Sequence, residues 1–532
     1  MNRLVLSFLL TLFVTIRTGA TDINIIPYPQ SIEIKRGICD LSQGFNLKGE
    51  KQNQSYIKEV LISDFDLSPS TRGVVIDLRI NLNAGENPEA YRLTITSKKI
   101  TIESPSQNGI FYGFQTLRQL IRDLKTPCLV INDRPAFEWR SYMLDEARYF
   151  QGKETVKKLL DEMALLKFNK FHWHLTNDAG WRIEIKRYPL LTEIGSVRDS
   201  SQINDNGKKW SSQIFDGKVH KGFYTQEDIK ELIEYARKRY ITIIPEISMP
   251  GHASAAVAAY PWLGTSNERI KVPEKFGVVQ TVFNPADPKV IQFLHNVLKE
   301  VSGLFPADVI HIGGDEVKYD QWETSPLITN YMTENNLTTY SDIQVKFTND
   351  ISNFIADSLG KRMMGWNEIL GTNIHDWATT EDAKTKLSPE AIIHFWKGTS
   401  KNLEQAIING YDLVNSNHEY TYLDYTYELI DLQKAYSFKP APDVFTIEQK
   451  NQILGLGCQM WGEWTPTHKE VEYQTYPRIA AYSEVGWTDN DRKNYERFEK
   501  GLEFFITRWN KKGYHIAPLS MSKLKEEIVD YE

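Results

Sequence analysis

Cysteine is scarce in this 532-residue chain: only Cys39, Cys128 and Cys458, odd in number and far apart. They make neither a disulfide framework nor a metal-ligand spacing, so a hydrophobic core has to supply the stability. No low-complexity tract and no short-period repeat occurs, which removes solenoids and disordered arrays from consideration. An excess of one charge is missing too: 62 basic and 69 acidic residues are well mixed and leave a net −7. Nucleic acid and acidic membrane surfaces are therefore not the expected partners. Beyond the N-terminus, no apolar run comes near the ~20 residues of a membrane helix, and stable membrane insertion is not expected.

The N-terminus itself reads as an export signal. Arg3 gives the positive start, Leu4 to Ile16 is apolar apart from Ser7, Thr11 and Thr15, and Thr18-Gly19-Ala20 is a small-residue cleavage site. The apolar run is roughly a dozen residues, short for a retained anchor helix. No cysteine follows it to carry a lipid. The expected destination is the periplasm or the outside. Sequons at Asn53 and Asn336 are near the chance number for this length and decide nothing.

Aromatic residues are plentiful, with 13 Trp and 26 Tyr. A large core accounts for them as readily as a sugar site, where flat rings pack on the C–H faces of pyranoses. The chain divides into a signal (residues 1–20), a small two-layer α/β domain (21–135), a larger domain (136–510) and a C-terminal tail (511–532). In the small domain Ile76, Leu78, Ile80 and Leu82 alternate with polar residues, as do Tyr91, Leu93 and Ile95, and Ile100 and Ile102 follow. Ile110, Phe114, Leu117 and Leu120 then recur at helical spacing.

From residue 137 strand-like and helix-like segments alternate. The apolar strand centres are Tyr142–Leu144, 170–175, Ile241–Ile244, Val309–Ile312, Met363–Met364, Ile392–Phe395, Tyr411–Val414 and Ile453–Gly457. Helical patterns lie between several of them, one opened by a capping-box-like Thr225 and Asp228. This alternation predicts a (β/α)8 TIM barrel. The long connection over 176–224 is expected to reach over the barrel mouth. In such barrels the chemistry sits at the C-terminal ends of the strands. There the sequence places Asp145 and Arg148, Asn177 and Asp178, Glu246 and His252, Gly313-Gly314-Asp315-Glu316, Trp366 and Glu368, Trp396, Tyr422 and Asp424, and Trp461 and Glu463. Any one of these could be a surface charge; their shared position is harder to reach by accident. Neighbours on a strand point to opposite faces, so Asp315 and Glu316 are expected to have different jobs, and Gly313-Gly314 lets the backbone leave strand geometry and a ligand approach closely.

His311-Ile312-Gly313-Gly314-Asp315-Glu316 resembles the signature of glycoside hydrolase family 20, the β-N-acetylhexosaminidases. The resemblance runs from residue 24 to about 510. It includes Trp139-Arg140 through Arg148, His172 to Asp178 with Gly180-Trp181-Arg182, Pro245 to His252, Gly365 to Glu368, Tyr422-Leu423-Asp424 and Trp461-Gly462-Glu463. It implies a retaining exo-enzyme that removes terminal β-linked N-acetylglucosamine or N-acetylgalactosamine from a glycan, the substrate's own acetamide acting as nucleophile. It implies Glu316 as general acid and base, Asp315 as the holder of the acetamide N–H, and Tyr422 as donor to the acetamide oxygen. Trp366, Trp396 and Trp461 would wall the acetamide and the sugar face, Arg148, Asp424 and Glu463 would grip the ring hydroxyls, and Asp178 with His252 would form a relay behind Glu316. No cofactor and no metal is implied. Two positions depart from the expected pattern: Asn177 and Ser248 stand where relatives carry acids.

Two other readings remain at this stage. His172 and His174, two apart on a strand, could share a metal as in amidohydrolase barrels, although they sit inside the apolar stretch and no second pair completes such a site. A barrel that binds glycans without turning them over is the other.

Overall fold

The computed structural model of the protein describes residues 23–205, 207–375 and 381–521; the stretch expected to be an export signal and residues 522–532 lie outside these. The small domain is a six-stranded sheet in the order Ser31–Asp40, Lys125–Asp133, Tyr91–Ile95, Lys99–Ser104, Val74–Ile80, Phe45–Gly49. The first four pair antiparallel and the last three parallel. The helix Gln107–Leu120 is buried on all sides from Gly109 onward, because the sheet covers one face and the barrel the other. A Cβ on Gly113 would sit 2.6 Å from Ile102, which shows how closely this helix approaches the sheet. On the barrel side Phe111 meets Tyr240 and Tyr112 meets Trp487.

The strands legible as alternation are present, except that the first ends at Ile80 and Leu82 opens a short 3-10 turn instead. Those at 31–40, 45–49 and 125–133 were not read, and neither was the helix Gln54–Phe65. Ser31–Asp40 is an edge strand exposed along most of its length, so burial imposes little alternation on it. Asn53, one of the two sequon residues, is buried, and its amide nitrogen donates to the carbonyl and side-chain oxygens of Gln107, each at 3.0 Å.

The larger domain is a closed, parallel, eight-stranded barrel. Its strands are Trp139–Asp145, Lys170–His174, Thr242–Glu246, Val309–His311, Arg362–Trp366, Ile392–Phe395, Asp412–Asn415 and Ile453–Met460, the last closing on the first from Gly455↔Trp139 to Met460↔Leu144. The first and last run beyond their apolar centres. Their extensions hold buried polar residues, Arg140 and Ser141 at one end and Gln459 at the other, that mask the strand in the sequence. The Thr225–Asp228 capping box opens the helix Gln226–Arg237 as expected.

Residues 175–225 form a long excursion stitched by two short antiparallel pairs, 176–177 with 180–181 and 197–198 with 220–221. Arg182, fully buried, holds it down by donating to the carbonyls of Glu146, Ala147, Ser196 and Gly222. At the other end, residues after the helix Tyr495–Lys511 do not trail away at once: Tyr514 stacks on Tyr476, and Ala517 donates its N–H to the Tyr476 carbonyl. No helix of the described residues is long and apolar enough to cross a membrane.

Candidate active site

A cavity of about 370 Å³ opens at the C-terminal mouth of the barrel. Of the residues singled out as catalytic or substrate-binding, all but Asp178 and His252 line it: Arg148, Asp315, Glu316, Trp366, Trp396, Tyr422, Asp424, Trp461 and Glu463. The fourth strand stops at His311, and Gly313 (φ +70°) and Gly314 (φ +87°) then turn the chain through the left-handed region. A Cβ on Gly314 would lie 2.4 Å from the Ile369 side chain, so a larger residue does not fit.

This turn sets the geometry of the acidic pair. Asp315 and Glu316 are no longer in strand geometry, and they do not face away from each other. Both reach the same imidazole: His252 Nε2 is 3.3 Å from Asp315 Oδ2 and 3.6 Å from Glu316 Oε2. His252 Nδ1 lies 2.7 Å from Asp178 Oδ2, and the other Asp178 oxygen accepts from the Ser254 N–H at 3.0 Å and from the Ser254 hydroxyl. The relay therefore serves both carboxylates.

The two acids are pushed in opposite directions. Burial works against ionisation of Asp315, but the His252 cation outweighs it and holds this carboxyl below its ordinary value. Glu316 is raised, first by burial and then by repulsion from Asp315 and Glu368, which His252 only partly offsets. His252 itself is held well above the usual imidazole range; burial opposes this, and Asp315 and Asp178 override it. At neutral pH the set reads as an ionised Asp315, a cationic His252 and a Glu316 shifted toward its protonated form. Pairs of carboxyls driven apart in this way mark acid and base assignments.

The opposite wall is polar. Arg148 donates to Asp145 Oδ2 at 3.0 Å, sits 3.5 Å from Glu463 Oε1, and lies 5.0 Å from the centre of the Trp461 ring. Asp145 also accepts from the Gly462 N–H at 2.9 Å, tying the first strand's exit to the eighth's. Asp424 is pushed up to about 8 by burial and by Glu463. The aromatic walls are anchored from behind. Trp396 donates to Glu368 Oε2 at 2.9 Å and stacks on Tyr422, with ring centres 6.0 Å apart and planes 11° from parallel. Burial keeps the Tyr422 phenol protonated, well above its ordinary value.

Both departures from the expected pattern close their networks without a charge. Asn177 accepts from the Asp178 N–H at 2.7 Å and contacts His174 Nε2 at 3.0 Å. The Ser248 hydroxyl donates to the Thr176 carbonyl at 2.8 Å. The paired His172 and His174 lie buried within the barrel, each 2.8 Å from Glu246 Oε2. His172, His311 and His394 bring ring nitrogens within 4.8 Å of one another. Those of His311 and His394 are engaged: Gly313 N–H donates to His311 Nδ1 (3.0 Å), His311 Nε2 meets His394 Nδ1 (3.3 Å), and His394 Nε2 meets Ser416 Oγ (2.8 Å).

Some lining residues were not read from the sequence. Trp210, Gly277 and Val278 come from excursions between strands. Gln202, fully buried, joins these excursions by donating to the Ser212 carbonyl (2.8 Å) and accepting from the Phe276 N–H (3.0 Å). A second hollow of about 300 Å³ shares Glu316 with the first and is bordered by Tyr319, Gln344, Glu368 and His375. Nothing in local periodicity marks these loop residues, because their positions follow from tertiary packing.

Carboxyls pushed in opposite directions within a tryptophan-walled cavity at a TIM-barrel mouth are the makings of a glycoside-hydrolase centre. Comparison with known proteins narrows this. Residues 137–490 match the catalytic domain of glycosyl hydrolase family 20, and residues 22–134 match that family's domain 2. The chain belongs to glycosyl hydrolase family 20. It is 34% identical over 495 residues to a β-hexosaminidase of Vibrio furnissii, covering 88% of this chain and 77% of that one. It is 33% identical over 531 residues to one of Porphyromonas gingivalis, covering 93% of this chain and only 64% of the relative's length. Among solved structures, an exo-β-N-acetylglucosaminidase of Vibrio harveyi in complex with N-acetylglucosamine superposes with a TM-score of 0.80, at 30% identity over 93% of this chain and 78% of that one. A β-N-acetylhexosaminidase of Bacteroides fragilis gives 0.79, at 29% identity over 94% of this chain and 99% of that one.

Proposed function

We propose that the protein is a retaining exo-β-N-acetylhexosaminidase that works by substrate-assisted catalysis. The observation that carries this is the convergence of Asp315 and Glu316 on His252 at one cavity, with opposite protonation shifts. The acetamide oxygen of the bound sugar attacks the anomeric carbon as the bond to the leaving oxygen breaks, and Glu316 delivers its proton to that oxygen. Asp315, whose Oδ1 has no hydrogen-bonding partner among the described residues, receives the acetamide N–H and faces the positive charge that develops on the ring being formed. Tyr422 donates to the acetamide oxygen. Water, deprotonated by Glu316, then opens the oxazolinium at the anomeric carbon, and two inversions give retention.

An intramolecular nucleophile of this kind is worth roughly 7–11 kcal/mol of barrier. The protein's share is orientation and proton supply. Arg148, Asp424 and Glu463 grip the ring hydroxyls, the three tryptophans wall the sugar, and the hollow beyond Glu316 takes the leaving group. The export signal read at residues 1–20 would place this activity in the periplasm or outside the cell. The test compares a chromogenic N-acetyl-β-glucosaminide with its 2-hydroxy counterpart. Turnover of the N-acetylated compound is expected to exceed that of the other by several orders of magnitude; equal rates would sink the mechanism.

A further inference from the structure

One buried acid takes no part in the chemistry above. Glu246 ends the third barrel strand, is fully buried, and lies under the cavity rather than in its wall. Its Oε1 accepts from the indole N–H of Trp366 at 3.0 Å. Its Oε2 lies 2.8 Å from His172 Nε2 and 2.8 Å from His174 Nδ1. His174 in turn meets Trp461 edge to face, ring centres 5.1 Å apart, and Trp366 stacks on His394 at 4.1 Å with planes 17° from parallel. The interior layers of such barrels are ordinarily filled by branched apolar side chains. A buried carboxylate among imidazoles is a poor route to stability, since desolvation consumes much of what the pairing returns. Burial opposes its ionisation, yet His174, His311 and His172 hold it well below the usual carboxylate range. The acceptor offered to Trp366 is thus an anion, and charge-assisted bonds of this kind are the stronger and more directional ones.

We infer that Glu246 is a positioning residue for the glycosidase reaction: its carboxylate fixes the Trp366 indole, and through His174 the Trp461 face, at the geometry the cyclising acetamide requires. The inference rests on the reading of Trp366 as the acetamide's wall. A hydrogen bond from the indole N–H to an anion also leaves the ring face richer in electron density, toward the side where positive charge develops. Glu246 itself touches no substrate atom in this scheme.

The test uses the full-length enzyme, Glu246→Gln, Trp366→Phe and the double variant. The readouts are kcat and KM on a chromogenic N-acetyl-β-glucosaminide, and inhibition by the bicyclic thiazoline of N-acetylglucosamine, which mimics the cyclised intermediate. Glu246→Gln is expected to lower kcat about 10- to 100-fold with KM nearly unchanged, the usual size of a supporting-shell loss. Thiazoline binding should weaken by a similar factor, while inhibition by glucosamine, which has no acetamide, stays put. In the Trp366→Phe background the same substitution should cost clearly less than in the wild type, because the shared bond is already gone and only the route through His174 to Trp461 remains. Losses that multiply independently, or a Glu246→Gln enzyme within twofold of wild type, overturn the proposal. The isotope-labelled indole N–H resonance of Trp366, assigned by its disappearance in Trp366→Phe, reads the bond without turnover and should move in Glu246→Gln; an unmoved resonance overturns it as well. If Glu246→Gln does not fold, Trp366→Phe alone decides, and a loss under twofold is fatal. Wild-type selectivity for the 2-acetamido group tests the underlying reading separately.

Discussion

His252→Asn separates the role of the relay from that of the acids it touches. In the wild type the imidazolium stands 3.3 Å from Asp315 and 3.6 Å from Glu316 and lowers the pKa of both. A unit charge at 3.6 Å is worth about 1 kcal/mol with the dielectric of water and about 4.6 kcal/mol at an effective value near 20, which is roughly 1 to 3 pH units. Glu316 is partly exposed, so its shift belongs toward the lower end. The sign is the same for both acids, because removing a cation raises each carboxyl. Under the proposed mechanism Glu316 must be protonated to act, so activity is lost as pH rises through its raised value, and this alkaline limb moves up in the variant. Asp315 must by the same mechanism be ionised, so activity is lost as pH falls through its depressed value, and this acid limb moves up too. The assay is the pH dependence of kcat/KM, which reports the free enzyme, on a disaccharide whose leaving group needs its proton. Thermal unfolding checks the fold. His252 has a folded pKa above its unfolded one, so its contribution to stability is full below about pH 6.5 and fades as pH rises through the folded value. The wild type's lead in melting temperature should narrow accordingly. Limbs that stay in place, or move down, would refute the electrostatic account.

Glu316→Gln should lower kcat by orders of magnitude on a disaccharide and recover substantially on glycosides whose leaving group departs without a proton, while Asp315→Asn shows no such recovery; kcat against leaving-group pKa distinguishes them. Gly314→Ala forces a side chain into the left-handed region and against Ile369. It should destabilise the fourth strand's exit by about 1–3 kcal/mol from backbone strain alone, with activity falling faster than melting temperature.

The barrel was legible because its strands have short apolar centres separated by helical periodicity, and the eight positions survive in the structure. The site was legible because its residues stand at one end of those strands, so topology alone gathers them. The direction of the acidic pair was less legible. Asp315 and Glu316 follow a strand in sequence, and Gly313 and Gly314 take the chain out of strand geometry before them. Glycine announces that a turn is possible without saying which way side chains emerge from it. The anchors behind the walls were invisible for a different reason: Glu246 and Trp366 lie 120 residues apart. Trp210 and Gln202 sit on an excursion with no periodicity, and their place is set by contacts made after the barrel closes.

Two of the nine non-glycine residues with positive φ among the described residues face each other across the site. His252 and Glu316 both adopt positive φ, +53° and +51°, although glycine precedes His252 and stands two residues before Glu316. Left-handed geometry costs an ordinary residue roughly 1–2 kcal/mol, which glycine at the same positions would escape. The strain buys reach. It turns the exit of the third strand and the exit of the fourth toward each other, so that one imidazole meets two carboxylates from different loops. Seven other non-glycine residues among the described ones, Asp66, Leu124 and Tyr240 among them, share this backbone geometry, so what sets this pair apart is not the strain but the placement it gives, His252 Nε2 at 3.6 Å from Glu316 Oε2.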